Sequence, residues 1–420
     1  EENFGLHAMG ASTSNENDSK PRVAFEPKEV KVWESTLKTE GGYPDHERIK
    51  VMSATWNVAG FDINESLSPW LLRGLTNLEG ENRIALPDIL CIGLQEVVGL
   101  NDKKRQCGYA MNATKLDRQC VSVYNFTKDN VTKKWRKRVS KALTQMVMFE
   151  MENQDLGGGG GQREDVKAKD DDVKNSKDVV NGSCCSSDEY DPASEYVCLI
   201  SRQMVGIMSM VFVRRKWRAK ITDINFHQLG VGFMGVGHNK GAIGIWFSLN
   251  RTRFLFVNCH LESGQDAVSK RNNNMEVLQD QLLIRHGEVD VTILLGDLNY
   301  RVDMTDIDQV LSLMTAGDYK VMLQKDQLKK QMSLIPAFKD LEESPITFQP
   351  TYKLTPMTNV YDPAGSKKRI PAWCDRILYS AKNKKHLSTL FYTAAPLASS
   401  DHKPVSALHE VWIGEEEEDI

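Results

Sequence analysis

Short apolar runs of strand length recur along this 420-residue chain, and each ends in polar residues. They span Val51 to Val58, Asp88 to Val97, Val205 to Arg214, Ala242 to Leu249, Arg253 to His260, Val291 to Asp297, Arg376 to Ser380 and Val405 to Ile413. Bounded runs of this kind, rich in Val, Ile and Phe, predict β-strands. Asn250 to Thr252 joins two of them and is short enough for a hairpin. A helical period replaces the strand pattern over Asp266 to His286, Asp306 to Ala316 and Lys320 to Met332. Helices interleaved with strands in one continuous series predict a single α/β domain, its sheets covered on their outer faces. No internal repeat is visible.

Two stretches break the pattern. Residues 1–45 are rich in Ser, Asn, Glu and Lys and predict a flexible N-terminal tail that becomes ordered near Trp33. Residues 152–194 pass through Gly157 to Gly161 into a charged, small-residue stretch that offers too little apolar area to offset its ordering entropy. Because strand-like sequence resumes beyond it, this is expected to be a disordered insertion within one catalytic domain over 46–414. Residues 415–420 form an acidic tail.

A hydrophobic content of 40% suits a soluble protein with a sizeable core. The net charge of -4 gives no global attraction to nucleic acid or to anionic membranes, so any anionic ligand must be met by local basic clusters. Those lie at Lys133 to Lys141, Arg214 to Lys220 and Lys367 to Arg369. Eight cysteines without a C-x-x-C pair suggest neither a disulfide framework nor a zinc site, and predict a reducing, cytoplasmic setting. The longest apolar run, Met204 to Val213, is roughly half of what a bilayer span needs. No secretory leader, spanning helix or lipidation box is in view, and the chain opens on Glu1 rather than Met, which leaves room for a longer N-terminus.

The strand ends carry the chemistry. Asn57 closes one run, Glu96 a second and His260 a third; Asp297, Asn299 and Arg301 follow a fourth, while Asp375 with Arg376 and Asp401 with His402 flank the last two. Residues at i and i+2 of an extended segment share a side, so Asp297 and Asn299 are expected to face a common space. A lone Asp or Asn after a strand is ordinarily a turn former. Six such ends together predict a site. Carboxylates, a carboxamide and imidazoles, without a Cys cage or a nucleophile elbow, suit a hard cation such as Mg²⁺ and an attacking water, with Glu96 the strongest single ligand candidate.

The segments TWNVAG, LQEVV, GHNKGAIG, GDLNYRVD, PAWCDRIL and SDHKPV, in this order, resemble the inositol polyphosphate 5-phosphatases, a branch of the endonuclease/exonuclease/phosphatase superfamily. The match runs from about Lys50 to Ile413. It implies a four-layered α-β-β-α sandwich of two packed mixed sheets flanked by helices, with the site at one end. At matched positions it implies Glu96 as the principal Mg²⁺ ligand with Asn57 beside it, Asp297 as the base for the attacking water, and Asn299 holding that water or the phosphate. His402 would bond a non-bridging phosphate oxygen, oriented by Asp375; Asp401 would support the metal and water network, and His260 would contact phosphate. Tyr352, Lys353, Lys367 and Arg369 would hold a neighbouring 4-phosphate, with Lys240, Asn239, Arg301 and Arg376 completing the substrate-binding set. The sequence departs from the family pattern at Glu262 and Ser263, which add a carboxylate near the mouth, and at the GAIG segment.

The expected substrates are inositol 1,4,5-trisphosphate, inositol 1,3,4,5-tetrakisphosphate, or the lipids PI(4,5)P2 and PI(3,4,5)P3. Phe233 and Met234, set between glycines, are candidates for peripheral membrane contact. Two rivals remain at this point: a nuclease of the same superfamily and a non-catalytic phosphoinositide-binding module. The first needs a basic, aromatic-bearing groove, which the acidic balance disfavours, so no nucleic-acid partner is expected. The second needs a broken catalytic set, and the set is complete.

Overall fold

The computed structural model describes residues 23–37, 46–73, 86–98, 130–155, 194–231, 240–283, 288–362 and 369–414. In chain order the strands are β1 (His46–Asn57), β2 (Ile89–Gln95), β3 (Tyr196–Met204), β4 (Ile207–Arg214), β5 (Ile221–Gly230) and β6 (Gly241–Leu249). They continue with β7 (Thr252–His260), β8 (Val291–Asp297), β9 (Asp375–Ala381), β10 (Leu387–Ala394) and β11 (Val405–Gly414). They pair into a six-stranded sheet, β10-β11-β1-β2-β4-β3, and a five-stranded sheet, β5-β6-β7-β8-β9.

The inner faces of the two sheets pack against each other through residues such as Val51, Ile89 and Val211 on one side and Phe247, Phe254 and Phe256 on the other. Each outer face needs a helical cover. On the six-stranded sheet that cover comes from α1 (Ser68–Leu71) and α2 (Asn130–Asp155), whose Trp135, Val139, Leu143 and Met146 pack on Leu90, Ile92 and Met210. On the five-stranded sheet it comes from α3 (Val268–Leu278) and the π-turn Gln279–Leu283, where Met275, Leu278 and Leu282 meet Leu255, Val257 and Leu294. The result is the expected α-β-β-α sandwich.

The differences from the sequence reading have physical causes. Strands β3, β5 and β10 carried no apolar run; all three are sheet edges, where polar residues such as Ser201, Arg202 and Gln203 on β3, Asp223, Asn225, His227 and Gln228 on β5, and Ser388 and Thr389 on β10 interrupt the pattern. Helix α2 hides a buried stripe at 135, 139, 143 and 146 under its lysines, and it runs to Asp155, past the expected start of the insertion at Glu152. The single helix expected over Lys320 to Met332 is two, α5 (Lys320–Gln324) and α6 (Gln327–Met332), with α4 (Ile307–Ala316) before them. Asp326 makes the break: its side chain accepts from Lys329 N (2.9 Å) and caps α6. Order in the N-terminal tail begins before Trp33. Ala24 bridges Val360, Phe25 is buried in the core, and Trp33 N donates to Leu390 O. Residues 1–22, 156–193 and 415–420, which hold most of both expected tails and of the insertion, lie outside the described residues.

Candidate active site

β1 runs parallel to β2, and β7 parallel to β8, so their carboxyl ends emerge together at one edge of the sandwich, where ligand crevices form in open α/β sheets. His260, Asp297 and Asp375 are level across β7, β8 and β9, which sets three side chains of the site in one row. Close strand approach makes this possible. Gly296, at φ 143°, precedes Asp297, and a Cβ there would meet Cys259 O at 2.0 Å.

The second sheet supplies the other half. Asn57 Nδ2 donates to Asp297 Oδ2 (2.9 Å) and to Glu96 Oε1 (3.3 Å), and its Oδ1 accepts from Ala59 N. His260 Nε2 lies 3.4 Å from Asp297 Oδ2 and 3.7 Å from Glu96 Oε1, and it also meets Lys240 Nζ. Burial opposes the charge on Asp297, but the hydrogen bond from His260 and the nearby charges of His402, His260 and Lys240 hold its carboxyl well below the usual range. Burial also pulls the Lys240 amine below its ordinary value, against the attraction of Asp297, Glu96 and Glu262.

On the far side of Asp297, His402 Nδ1 bonds Asp375 Oδ2 (2.9 Å), and Thr351 Oγ1 donates to the same oxygen (2.7 Å). Burial would lower the His402 pKa, yet Asp375, with Asp297 and Asp401 behind it, raises it to about 9. These neighbouring carboxylates favour the protonated imidazole. Its backbone is pinned as well, by Trp56 Nε1 to His402 O (2.9 Å), while Ser400 Oγ donates to Asn57 O and accepts from His402 N. Tyr352 lies against the ring, 4.5 Å between centroids. Ser400 opens the SDHKPV segment and Thr351 precedes Tyr352, but the sequence gives no signal that separates their hydroxyls from ordinary loop residues.

Several expected positions need restating. Arg376, expected at the substrate, faces the other way: it is fully buried and grips Glu343 through Nε (2.6 Å) and a second nitrogen, and Asp326 at 3.0 and 3.1 Å. Neighbours on a strand point to opposite faces, so Asp375 and Arg376 cannot both reach the site. Arg301 is 3% exposed and binds Asn299 O and Oδ1 while lying over the Tyr352 ring, so it braces the site from behind. Asn299 N donates to Asp297 Oδ1 (3.0 Å), but its amide is committed to Leu261 O and Arg301. Lys353 pairs with Asp401 (3.1 Å), and Arg369 lies close enough to Tyr352 to act on its hydroxyl. Asn239, Lys367, Phe233 and Met234 fall outside the described residues.

Two groups offer themselves to a cation. Asp297, Asp375 and His402 have ligand atoms within 4.8 Å of one another, but the His402 ring is bound through Nδ1 to Asp375 and carries a proton it would have to lose. Glu96 and Asp297 instead bring two carboxylates together on the Asn57 amide, an all-oxygen pair of the kind a hard cation takes. With its nitrogen turned to both carboxylates, Asn57 orients them in this arrangement. Asp375 Oδ1 and Asp401 Oδ1 are buried and accept no hydrogen bond from any described residue.

The sequence model of the Endonuclease/Exonuclease/phosphatase family 2 matches residues 172–408, more than half of the chain. A curated relative, inositol-1,4,5-trisphosphate 5-phosphatase 1 of Schizosaccharomyces pombe, is 27% identical over 400 residues, covering 94% of this chain and 30% of that protein. Type IV inositol polyphosphate 5-phosphatase 9 of Arabidopsis thaliana is 29% identical over 378 residues, covering 86% of this chain and 76% of the relative. The chain thus spans about a third of the longer relative's length. Among solved structures, the 5-phosphatase domain of a synaptojanin in complex with inositol (1,4)-bisphosphate and calcium superposes with a TM-score of 0.61 at 26% identity, covering 88% of this chain and 86% of that one. On this match, laid over the two-sheet sandwich and the row of polar strand ends, the chain belongs to the endonuclease/exonuclease/phosphatase family 2, on its inositol polyphosphate 5-phosphatase branch.

Proposed function

We propose that this protein is a Mg²⁺-dependent phosphatase that removes the 5-phosphate of inositol polyphosphates or phosphoinositides by in-line attack of water. The observation that carries the reading is the convergence of Glu96, Asp297, His260 and His402 from two different sheets on one edge. Phosphomonoester hydrolysis asks for position and charge more than for covalent chemistry. Asp297, held as a carboxylate, orients the water and receives its proton as the bond to phosphorus forms. His402, held cationic by Asp375, donates to an equatorial oxygen, and His260 with Lys240 faces the same charge. A cation bound at Glu96 and Asp297 would act as a Lewis acid on the phosphoryl group and stabilise the departing inositol alkoxide.

Tyr352, Lys353 and Arg369, with Lys367 beyond the described residues, supply a basic flank for a second phosphate. The solved synaptojanin domain, which holds inositol (1,4)-bisphosphate, supports this assignment. Among the described residues no helix is long and apolar enough to cross a membrane. Exposed Phe61 and Met357, each four residues beyond a site residue (Asn57 and Lys353), support peripheral contact with a bilayer surface.

The deciding experiment is a panel of inositol 1,4,5-trisphosphate, inositol 1,3,4,5-tetrakisphosphate, PI(4,5)P2 and PI(3,4,5)P3, with a single-stranded oligonucleotide alongside, assayed with Mg²⁺ and with chelator. Release of the 5-phosphate in Mg²⁺ alone is expected. Cleavage of the oligonucleotide would move the assignment to a nuclease, and binding without turnover to a recognition module.

A further inference from the structure

Just inside the site edge, a polar tie crosses the apolar seam between the two sheets. Asn258 lies two positions before His260 on β7, so both side chains share a face. Its Nδ2 donates to Met208 O on β4 (2.9 Å) and to Leu94 O on β2 (3.3 Å), and its Oδ1 accepts from Gln95 Nε2 (2.7 Å). Gln95 in turn donates to Thr55 Oγ1 on β1 (3.1 Å). One carboxamide of the five-stranded sheet is thereby fastened to three strands of the other, and all three polar side chains are buried. The space is shaped around it: a Cβ on Gly93 would stand 2.6 Å from Asn258 Cγ and Oδ1.

Packing alone does not explain the tie. Apart from the Asn57–Asp297 bond at the site itself, the seam behind the edge is packed by side chains such as Phe256 and Ile293, and apolar contact is non-directional, so it resists separation of the sheets better than it resists sliding. Hydrogen bonds weaken steeply with distance and angle, so a carboxamide bonded to two carbonyls and an amide fixes register. Register is what the site needs. Glu96 follows Gln95 and is carried by the six-stranded sheet, whereas His260 and Asp297 are carried by the five-stranded one, and they meet at 3.7 Å and 3.4 Å around His260 Nε2.

We infer that Asn258 and Gln95 are positioning residues that set the distance across the sheets between Glu96 and the His260–Asp297 pair, and so govern cation affinity and water alignment without touching substrate. The inference rests on the metal-dependent phosphatase reading above.

The test is a rescue. Asn258→Ala removes the tie and opens a cavity; adding Gly93→Ala returns a methyl to that space without returning the hydrogen bonds. Melting temperature, Mg²⁺ affinity by calorimetry without substrate, and kcat and KM on inositol 1,4,5-trisphosphate are compared for the parent, Asn258→Ala, the double variant and Gln95→Met, a near-isosteric swap. The double variant is expected to regain most of the melting temperature lost by Asn258→Ala. Its kcat should stay roughly tenfold to a hundredfold low, with Mg²⁺ bound more weakly and KM little changed. Gln95→Met should show the same split, and it decides alone if the double variant does not fold. Recovery of kcat and Mg²⁺ affinity in step with the melting temperature would reduce Asn258 to a packing residue and overturn the inference. A parent that releases no phosphate in Mg²⁺ sinks the functional reading itself, whereas an active parent with unaffected variants sinks the positioning role alone.

Discussion

Asp375 and Arg376 are neighbours on β9, yet they serve two buried charge clusters of opposite kind. Around Arg376 every charge closes on its opposite: one guanidinium lies between Asp326 and Glu343, and Glu343 also accepts from Tyr392. Around Asp297 the carboxylates of Glu96, Asp375 and Asp401 face His260, His402, Lys240 and Lys353, and the buried Oδ1 atoms of Asp375 and Asp401 stay unbonded by any described residue. Buried acceptors without partners are uncommon and call for an explanation. The closed cluster fixes β9 to α6, while the open one keeps buried acceptors in reserve. Completeness of pairing, more than burial or charge count, separates structure from chemistry here.

Breaking the closed cluster should have the largest effect. Arg376→Ala strands two carboxylates in a buried site, and removing one partner of a buried ion pair typically costs about 3–5 kcal/mol. Urea unfolding should show that loss, and a midpoint within error of the parent would end the distinction drawn above. Asp297→Asn attacks the open cluster and should do the reverse. Phosphate release should drop roughly a hundredfold or more, a loss of about 3 kcal/mol from the transition state, while stability changes far less than for Arg376→Ala. Retained turnover would remove Asp297 from its assigned role.

The sequence displays this contrast poorly. An alternating Asp-Arg pair at a strand start says that the two side chains face apart, but which faces the crevice depends on a register that appears once β9 is seen paired with β8. Central strands such as β1, β2, β7 and β8 were legible because both faces are buried and their runs are unbroken, and their polar ends marked the site edge. Edge strands β3, β5 and β10 were not, because polar residues interrupt their runs. Asp326 looked like one more polar residue of a helix at Lys320 to Met332, since neither its capping of α6 nor its pairing with Arg376 is visible without the fold.

A third buried group sharpens the comparison because it has no counter-charge at all. His409 on β11 bonds Thr389 Oγ1 through Nδ1 (3.0 Å) and meets the Tyr379 ring at a tilt, 5.0 Å between centroids, and burial pushes its pKa down to about 3. The folded state therefore holds the neutral ring, whereas the unfolded chain takes up a proton near pH 6.5. The stabilising contribution is present above pH 6.5 and is lost as the pH falls toward 3, amounting to about 2 kcal/mol by pH 5. Melting curves at pH 7.5 and 5 should show a loss that His409→Phe reduces. An equal acid sensitivity in that variant would assign the effect elsewhere.

The smallest effect is expected at the rim of the open cluster, where solvent screens charge. Arg369 is partly exposed beside Tyr352, so on the proposed reading its contact with a second phosphate would be worth less than a buried ion pair, about 1 kcal/mol by the usual range for exposed pairs. Arg369→Ala should therefore raise KM several-fold on substrates with a 4-phosphate, leave kcat nearly unchanged, and spare substrates without that group. The split is expected because Arg369 acts on Tyr352, which lies against His402, and so would add binding energy at the flank of the site and not at the reacting phosphorus. An equal loss on both substrate classes would show that Arg369 supports the Tyr352–His402 stack instead, and would place it with Arg301 among the braces behind the site.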